Sequence, residues 1–514
     1  MSPPRNLDLS RRHFLAASAS ALLTRRTPAT PHAFTDSPFT LGVASGYPTA
    51  EGMTLWTRLA PKPFAPLGGM EGRPVQVGWE IASDPGFQQL RARGEAMAEA
   101  SWGYSVHVDV SGLAPGQWYF YRFHAGGVTS AIGRTRTAPT LSDKAPRLRL
   151  ALASCQHYEH GYFSAYRHML ADAPDLVIHV GDYLYEGSWG QRRVRKHIGP
   201  DPHTVEDYRA RYACYRLDGD LQRMHAAAPW MNIWDDREVE NDYARDRSHY
   251  HDDRPAFMAR RTAAYQAFYE HLPLPATMRP TPSGMRIHTR VQWGELAQVV
   301  LLDTRQYRSY PPCHAAQDKL GRPCRTFDDP TATMLGAQQE AWVTAALRRS
   351  QARWNLVAQP MSLARYDEIA GPDEKLHTQS WDAYPHARSR LLDVMADERV
   401  ANPVVLGGDW HAFWANDLLR DFLKPEEQPV AAEIVTTSLS AQGPDESIIR
   451  AVRREAPWLK FGTARYRGYV RLDLTRDSLE CDLRGLVDVT DPGTECLDIS
   501  SWVVESGRRG LARA

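Results

Sequence analysis

Five short apolar runs, each ending in polar residues able to do chemistry, constrain this chain more than any other feature. "LALASCQ" ends at Cys155, and "VIHVGDYLYE" runs into Asp182 and Tyr185. "MNIWDDREVENDYA" carries Asp235, Asp236 and Asn241, "VVLLDTRQYRS" carries Asp303 and Arg305, and "PVVLGGDWHAFW" carries Asp409 and His411. Runs of aliphatic residues bounded by turn signals read as strands buried on both faces. Helical stretches such as "DRPAFMARRTAAYQAFYEHL" and "GAQQEAWVTAALRRS" alternate with them. The reading is an α/β domain with a central sheet over about residues 147–505. Ligands of such domains gather outside the carboxyl ends of the strands. A thiol, carboxylates, a phenol, an amide and an imidazole are therefore expected at one rim.

A single strand-end aspartate is an ordinary turn or capping residue, and a lone buried cysteine is ordinary core. Five such ends converging call for another explanation. Crowded carboxylates raise one another's pKa values unless a cation neutralises them, so the rim reads as a metal centre with Asp182 as the candidate bridge between two ions. Aspartate, asparagine and phenolate oxygens suit ferric iron or calcium, while a thiolate and an imidazole favour a transition ion. Gly181 and the pair Gly407-Gly408 allow the backbone to turn sharply beside these residues.

Taken in order, "ASCQ", "HVGDYLYE", "WDDREVEND", "LDTRQYRS", "SWDAYPHARSRLL" and "GGDWHAFW" resemble the alkaline phosphatase D (PhoD-like) family, a branch of the calcineurin-like metallophosphoesterases. "FTLGVASGYPTAEGMTLWTRLAP" resembles the start of that family's N-terminal domain. The resemblance implies a calcineurin-like sheet sandwich with helices, preceded by a small all-β domain of immunoglobulin or fibronectin-III type. It implies a secreted or periplasmic phosphoesterase that hydrolyses phosphate esters with a metal-activated hydroxide. A phosphodiesterase or phospholipase D-like activity on the same centre, or a non-catalytic phosphate-binding protein, are the alternatives. Ferric iron and calcium are the implied ions, with zinc or manganese as the other possibility. Cys155, Asp182, Tyr185, Asp236, Asn241, Asp409 and His411 are the implied metal ligands, and His411, Arg237 and Arg305 the implied catalytic residues. The usual Asp-x-His opening of the superfamily is replaced at Cys155. Arg237 stands where wider relatives carry a histidine, and an arginine cannot serve as a general acid.

Upstream, "VQVGWEI" and "YSVHVDV" alternate with period two, and "LAPGQWYFYRF" reads as the corner of a β-sandwich in which Tyr119 locks a strand crossing. Residues 38–140 are thus read as a small N-terminal β-sandwich domain that packs on or shields the second domain. Before them, Arg11 and Arg12 precede a short Ala/Ser/Leu run too brief to span a bilayer, for which ~20 residues are needed. Residues 1–33 resemble a twin-arginine export signal, so the export machinery is an expected partner. Cys313 and Cys324 bracket one loop and Cys481 and Cys496 another, each pair a candidate short disulfide in an oxidising compartment. With 61 basic and 61 acidic residues, net charge points to no nucleic-acid or membrane-surface partner. Local charge must select the ligand, a small phosphate ester or diester. The basic run of Arg192, Arg193, Arg195, Lys196 and His197 reads as a solvated loop, with a basic flap over the phosphate as the alternative. Trp189, Trp410 and Trp414 are candidate walls for the organic part of a substrate.

Overall fold

The computed structural model describes residues 33–312 and 327–514. The export-signal reading, apart from Ala33, and the Cys313–Cys324 pairing lie outside these residues.

The predicted strands form in two sheets, so the one central sheet read from the apolar runs gives way to the sheet sandwich that the resemblance implied. Leu148–Ala153, Leu176–Val180 and Trp230–Ile233 run parallel at the centre of a ten-stranded sheet. Ala297–Leu301, Trp354–Ala358, Pro403–Gly407 and Ala431–Val435 run parallel in a seven-stranded sheet. The antiparallel pair Thr289–Trp293 and Ala297–Leu301 opens this second sheet. An apolar run reports burial on both faces and says nothing about which strand lies beside it, so one sheet and two read alike in sequence.

Alternation along the strands explains how the layers stack. Val299 and Leu301 face a core shared with Leu150 and Ile178 of the first sheet. Val300 and Leu302 face the other way, onto Val343 and Leu347 of the helix Gly336–Arg348 and Leu391 and Leu392 of the helix Pro385–Ala396. The two sheets therefore pack face to face, with helices over the outer side of the second. A one-residue slip of any of these strands would exchange the two cores.

The N-terminal residues are not a free-standing pair of sheets. Val43–Gly46, Met53–Arg58 and Ser105–Val110 extend the ten-stranded sheet, joined to it where Gly46 pairs with Trp230. A five-stranded sheet built on Val75–Ala82 and Trp118–Ala125 packs over these strands, with Val43, Leu55 and Val106 meeting Val77, Ile81 and Tyr121 in one core. Tyr119 Oη donates to the Ala114 carbonyl at 3.1 Å and accepts from the Ala114 N–H at 3.0 Å, pinning the turn into its strand.

Cys481 and Cys496 are free, which overturns their proposed pairing. They lie on adjacent antiparallel strands, but Cys481 is in register with Trp502 and Cys496 with Leu486. That offset separates them by about 17 Å along the strand at the usual rise, whereas a disulfide needs Cα atoms within about 7 Å.

Replacing Tyr119 with Phe removes both hydrogen bonds at little change in volume. Urea unfolding should show a loss of about 1–2 kcal/mol. An unchanged midpoint would mean the lock contributes nothing.

Candidate metal centre

The site is built from strained turns. Cys155, Asp182, Asp409 and His411 all have left-handed backbone, with φ of 57°, 55°, 64° and 52°. L-residues hold that conformation only where the surroundings enforce it, at about 1–3 kcal/mol each. Gly181 makes the closest approach possible: a Cβ there would lie 2.6 Å from Cβ of Asp235. The first two turns are also tied to each other. The Cys155 N–H donates to the Gly181 carbonyl at 3.1 Å and the Gln156 N–H to the Asp182 carbonyl at 3.0 Å.

Two groups of donors result, and Asp182 belongs to both. Ligand atoms of Cys155, Asp182 and His411 lie within 4.8 Å of one another, and so do those of Asp182, Asp235 and Asp236. Tyr185 joins the first group through its hydroxyl, 2.9 Å from His411 Nε2. His411 Nδ1 lies 2.6 Å from the Gln442 carbonyl, which can only accept, so Nδ1 carries the proton and Nε2 offers its lone pair to the site. Asn241 and Asp409 are half-buried beside these groups. The Asn241 N–H donates to Glu186 Oε1 at 2.9 Å and its Nδ2 to Asp242 Oδ2 at 3.0 Å.

The two arginines occupy different positions. Arg305 is 1% exposed, and its fork is shared among Asp235 (2.5 Å), Asp236 (3.5 Å) and Asp242 (3.5 Å). It orders the carboxylates from a fully buried position, with only its Nη1 short of a hydrogen-bond partner among the described residues. Arg237 is more open, its guanidinium 5.4 Å from the Tyr185 ring and 3.4 Å from Glu186 Oε1. Beneath both, Glu238 accepts the Tyr183 N–H at 2.6 Å and the Asp235 N–H at 3.0 Å, joining the loops that carry Asp182 and Asp235.

Electrostatics support the reading of the rim as a cation site. Burial, and then the charges of Asp236, Asp235 and Glu238, raise Asp182 well above the carboxylate range. Asp235 is raised by burial against the pull of Arg305. Burial also raises Asp236, but Arg305 and Arg237 outweigh it and hold that carboxyl at about 2. Burial raises Cys155 and Tyr185 strongly and lowers His411 to about 3. Asp235 Oδ2 is buried with no hydrogen-bond partner. An orphaned carboxylate oxygen among mutually repelling acids fits a bound cation, whose charge favours the ionised forms of Asp182, Asp235, Cys155 and Tyr185.

Sequence reasoning left Asp235 out of the ligand set and passed over Asp242 and His377. The left-handed backbone of Asp242 (φ 57°) leaves no trace in residue identity. His377 lies in the loop after Leu376, away from any strand end, on the edge of Trp410 with 5.1 Å between ring centroids. Burial works against its charge, but Glu368, Asp409 and Asp242 raise it to about 9. Other polar residues near the strand ends and loops have partners of their own. Asp303 accepts from Trp234 Nε1 and from the Arg305 and Gln306 N–H groups, and Asp382 pairs with Arg388. Arg195 is anchored on Asp218 and the Tyr158 and Gly161 carbonyls, and His197 is buried against Tyr215, so the basic run is only partly solvated. Trp414 is fully buried, while Trp189 stacks on His411 and stays partly exposed with Trp410.

Two packed sheets whose strand ends deliver paired donor groups around one shared carboxylate define a candidate two-cation centre on an α/β scaffold. Residues 150–483 match the PhoD-like phosphatase family, and residues 25–139 match the N-terminal domain of PhoD-like phosphatases. Alkaline phosphatase D of Bacillus subtilis (strain 168) is 39% identical over 488 residues, 93% of this chain and 83% of that protein. The solved structure of PhoD superposes with a TM-score of 0.89 at 39% identity, covering 94% of this chain and 93% of that one. The chain belongs to the PhoD-like phosphatase family, and is an enzyme of the class that hydrolyses phosphoric esters.

The raised carboxyls carry a pH signature. Burial pushes Glu238 up to about 8, and Asp182 and Asp235 move the same way. A raised acid binds its proton more tightly in the folded state, so this stability is full below the ordinary carboxylate pKa and is lost as pH rises toward 8. Asp236 has the opposite sign, but only below about pH 4. Chelator-stripped protein should lose on the order of 3 kcal/mol between about pH 5 and 8 in urea unfolding. Metal-loaded protein should lose less, because a cation favours ionised Asp182 and Asp235 in the folded state, and equal pH slopes for the two would contradict the cation site.

Proposed function

We propose that this protein is an exported, metal-dependent phosphoesterase that binds a phosphate ester against two cations sharing Asp182. The observation that carries the reading is the presence of Asp182 in both close donor groups. Cys155, Tyr185 and His411, with Asp182, would hold ferric iron. The oxygen donors Asp235 and Asp236, with Asn241 and Asp409, suit calcium. Zinc or manganese is the alternative pair. Such ions, when bound, supply Lewis acidity toward a phosphoryl oxygen and acidify water.

The protein's own groups do the positioning. Arg237, with its side chain about one-fifth exposed and a single long link to Glu186, keeps its planar fork for the non-bridging oxygens of a phosphate. Arg305 fixes Asp235, Asp236 and Asp242 relative to one another. Neutral His411, oriented by the Gln442 carbonyl, points Nε2 inward, and Tyr185 is held by its N–H to Tyr215 Oη at 2.9 Å and its carbonyl to Arg211 at 2.7 Å. Trp189 and Trp410 wall the partly open side and exclude water from the organic part of the ester. The two facing sheets with outer helices support a calcineurin-like assignment, and the Tyr119 lock supports an immunoglobulin- or fibronectin-like origin for the N-terminal strands. Among the described residues no helix is long and apolar enough to cross a membrane. We read residues 1–33 as a twin-arginine signal that takes the enzyme to the periplasm or beyond.

The test is elemental analysis of the exported protein alongside assays with a chromogenic phosphate monoester and diester. Iron and calcium in near-stoichiometric amounts, activity on either ester and loss of activity on chelation are expected. Full activity after exhaustive chelation would remove the reading. Tyr185→Phe should abolish a visible phenolate-to-iron absorption band, and a colourless, fully active native enzyme would exclude ferric iron at Tyr185. Replacing Arg11 and Arg12 together with Lys should retain the precursor inside the cell, and unchanged export would exclude the twin-arginine route.

A further inference from the structure

Ester cleavage leaves negative charge on the departing oxygen, and the residues assigned so far are committed elsewhere. The Arg305 fork is divided among three aspartates. His411 gives its Nδ1–H to the Gln442 carbonyl and turns Nε2 toward Tyr185 and the metal donors. His160 has both nitrogens engaged, Nε2 on the Trp189 carbonyl at 2.7 Å and Nδ1 by the Gln442 N–H at 3.2 Å. His157 is fully buried behind Tyr185, 4.5 Å from its ring. Arg237 is taken by the non-bridging oxygens in the reading above.

His377 is placed differently. Its ring rests against Trp410, the residue between Asp409 and His411, and Asp409 and Asp242 are among the charges that act on it. Nδ1 faces Glu368 Oε1 at 3.5 Å, and Glu368 is itself held by Lys375 at 2.5 Å, so the ring is oriented from behind. Among the described residues no hydrogen-bond partner engages Nε2, and the side chain is 37% exposed. That nitrogen therefore lies on a partly exposed ring beside Trp410, the residue between Asp409 and His411.

We propose that His377 is a catalytic residue of the reaction proposed above, on which this assignment rests, and that as an imidazolium, with its Nδ1–H toward Glu368, it donates a hydrogen bond from Nε2–H to the ester oxygen that leaves phosphorus. Glu368 holds Nδ1 and Trp410 holds the ring face. The donor matters most where the leaving oxygen bears the most charge. An alkoxide needs it, whereas a nitrophenolate spreads its charge into the ring.

The experiment compares metal-loaded wild type, His377→Ala and His377→Gln on phosphate esters whose leaving alcohols span a wide range of acidity, with metal content measured for each protein. His377→Ala should lose about 100-fold in kcat/KM on alkyl esters and far less on the 4-nitrophenyl ester, with metal content unchanged. His377→Gln keeps an N–H donor and should recover part of the alkyl rate. An equal loss across all leaving groups, or a Gln variant no better than Ala, overturns the proposal. If His377→Ala loses its metals, His377→Gln against wild type carries the comparison, and metal loss in both variants makes the residue structural and overturns it too. Wild type that cleaves none of the esters instead removes the phosphoesterase reading, and the role of His377 with it.

Discussion

Repulsion among Asp182, Asp235, Asp236, Asp242 and Glu238 is the interaction that the surrounding architecture answers. Water would screen these charges, but Asp182, Asp235, Asp236 and Glu238 are each at most 3% exposed. A buried guanidinium answers part of it, since Arg305 touches three of the carboxylates. Backbone N–H groups answer another part, from Arg237 to Asp182, from Asp242 to Asp236, and from Tyr183 and Asp235 to Glu238. What remains unanswered is concentrated at Asp182 and at the free oxygen of Asp235, where the two donor groups meet. Buried charges persist only when paired or coordinating a cation, so the arginine and the N–H groups are arranged to leave the deficit in one place.

The distant N-terminal strands take part in holding that place. Tyr47, at the end of the strand Val43–Gly46, donates its hydroxyl to the Asn232 carbonyl at 2.7 Å and accepts the Asn232 N–H at 3.1 Å. Asn232 lies three residues before Asp235 on the strand that delivers it. Trp56 reaches the Glu270 carbonyl, binding the same wing of the sheet to the helix Arg254–His271. A sequence division at about residue 140 is therefore a division of chain and of motif, while mechanically the wing and the centre share one sheet.

Much of this was legible in the sequence, for definite physical reasons. Aliphatic runs must be buried, and a strand end is where a sheet stops satisfying its own backbone, so polar residues there stand out. That logic pointed to Cys155, Asp182 and His411, whose ligand atoms the fold brings together, and to Tyr185, whose hydroxyl meets His411. It could not separate Asp235 from Asp236, because neighbouring strand-end aspartates differ only in which way the turn aims them. It named Arg305 as catalytic without showing its contacts with three aspartates, since pairing with carboxylates from another strand and its loop is a tertiary fact. His377 carries no periodic signal at all. Cysteine spacing misled for a related reason: Cys481 and Cys496 are close along the chain, but strand register sets their separation.

The left-handed turns at Cys155, Asp182, Asp409 and His411 have a consequence for ion choice. Flexible sites rank metals by intrinsic affinity, and copper then outcompetes most others. Here the donor atoms are set on such turns, two of them tied to each other by backbone hydrogen bonds, so reshaping the pocket around whichever ion arrives is costly. Selection passes from affinity to size and coordination geometry. The strain stored in those turns works as a gauge, admitting ions that match the spacing already built.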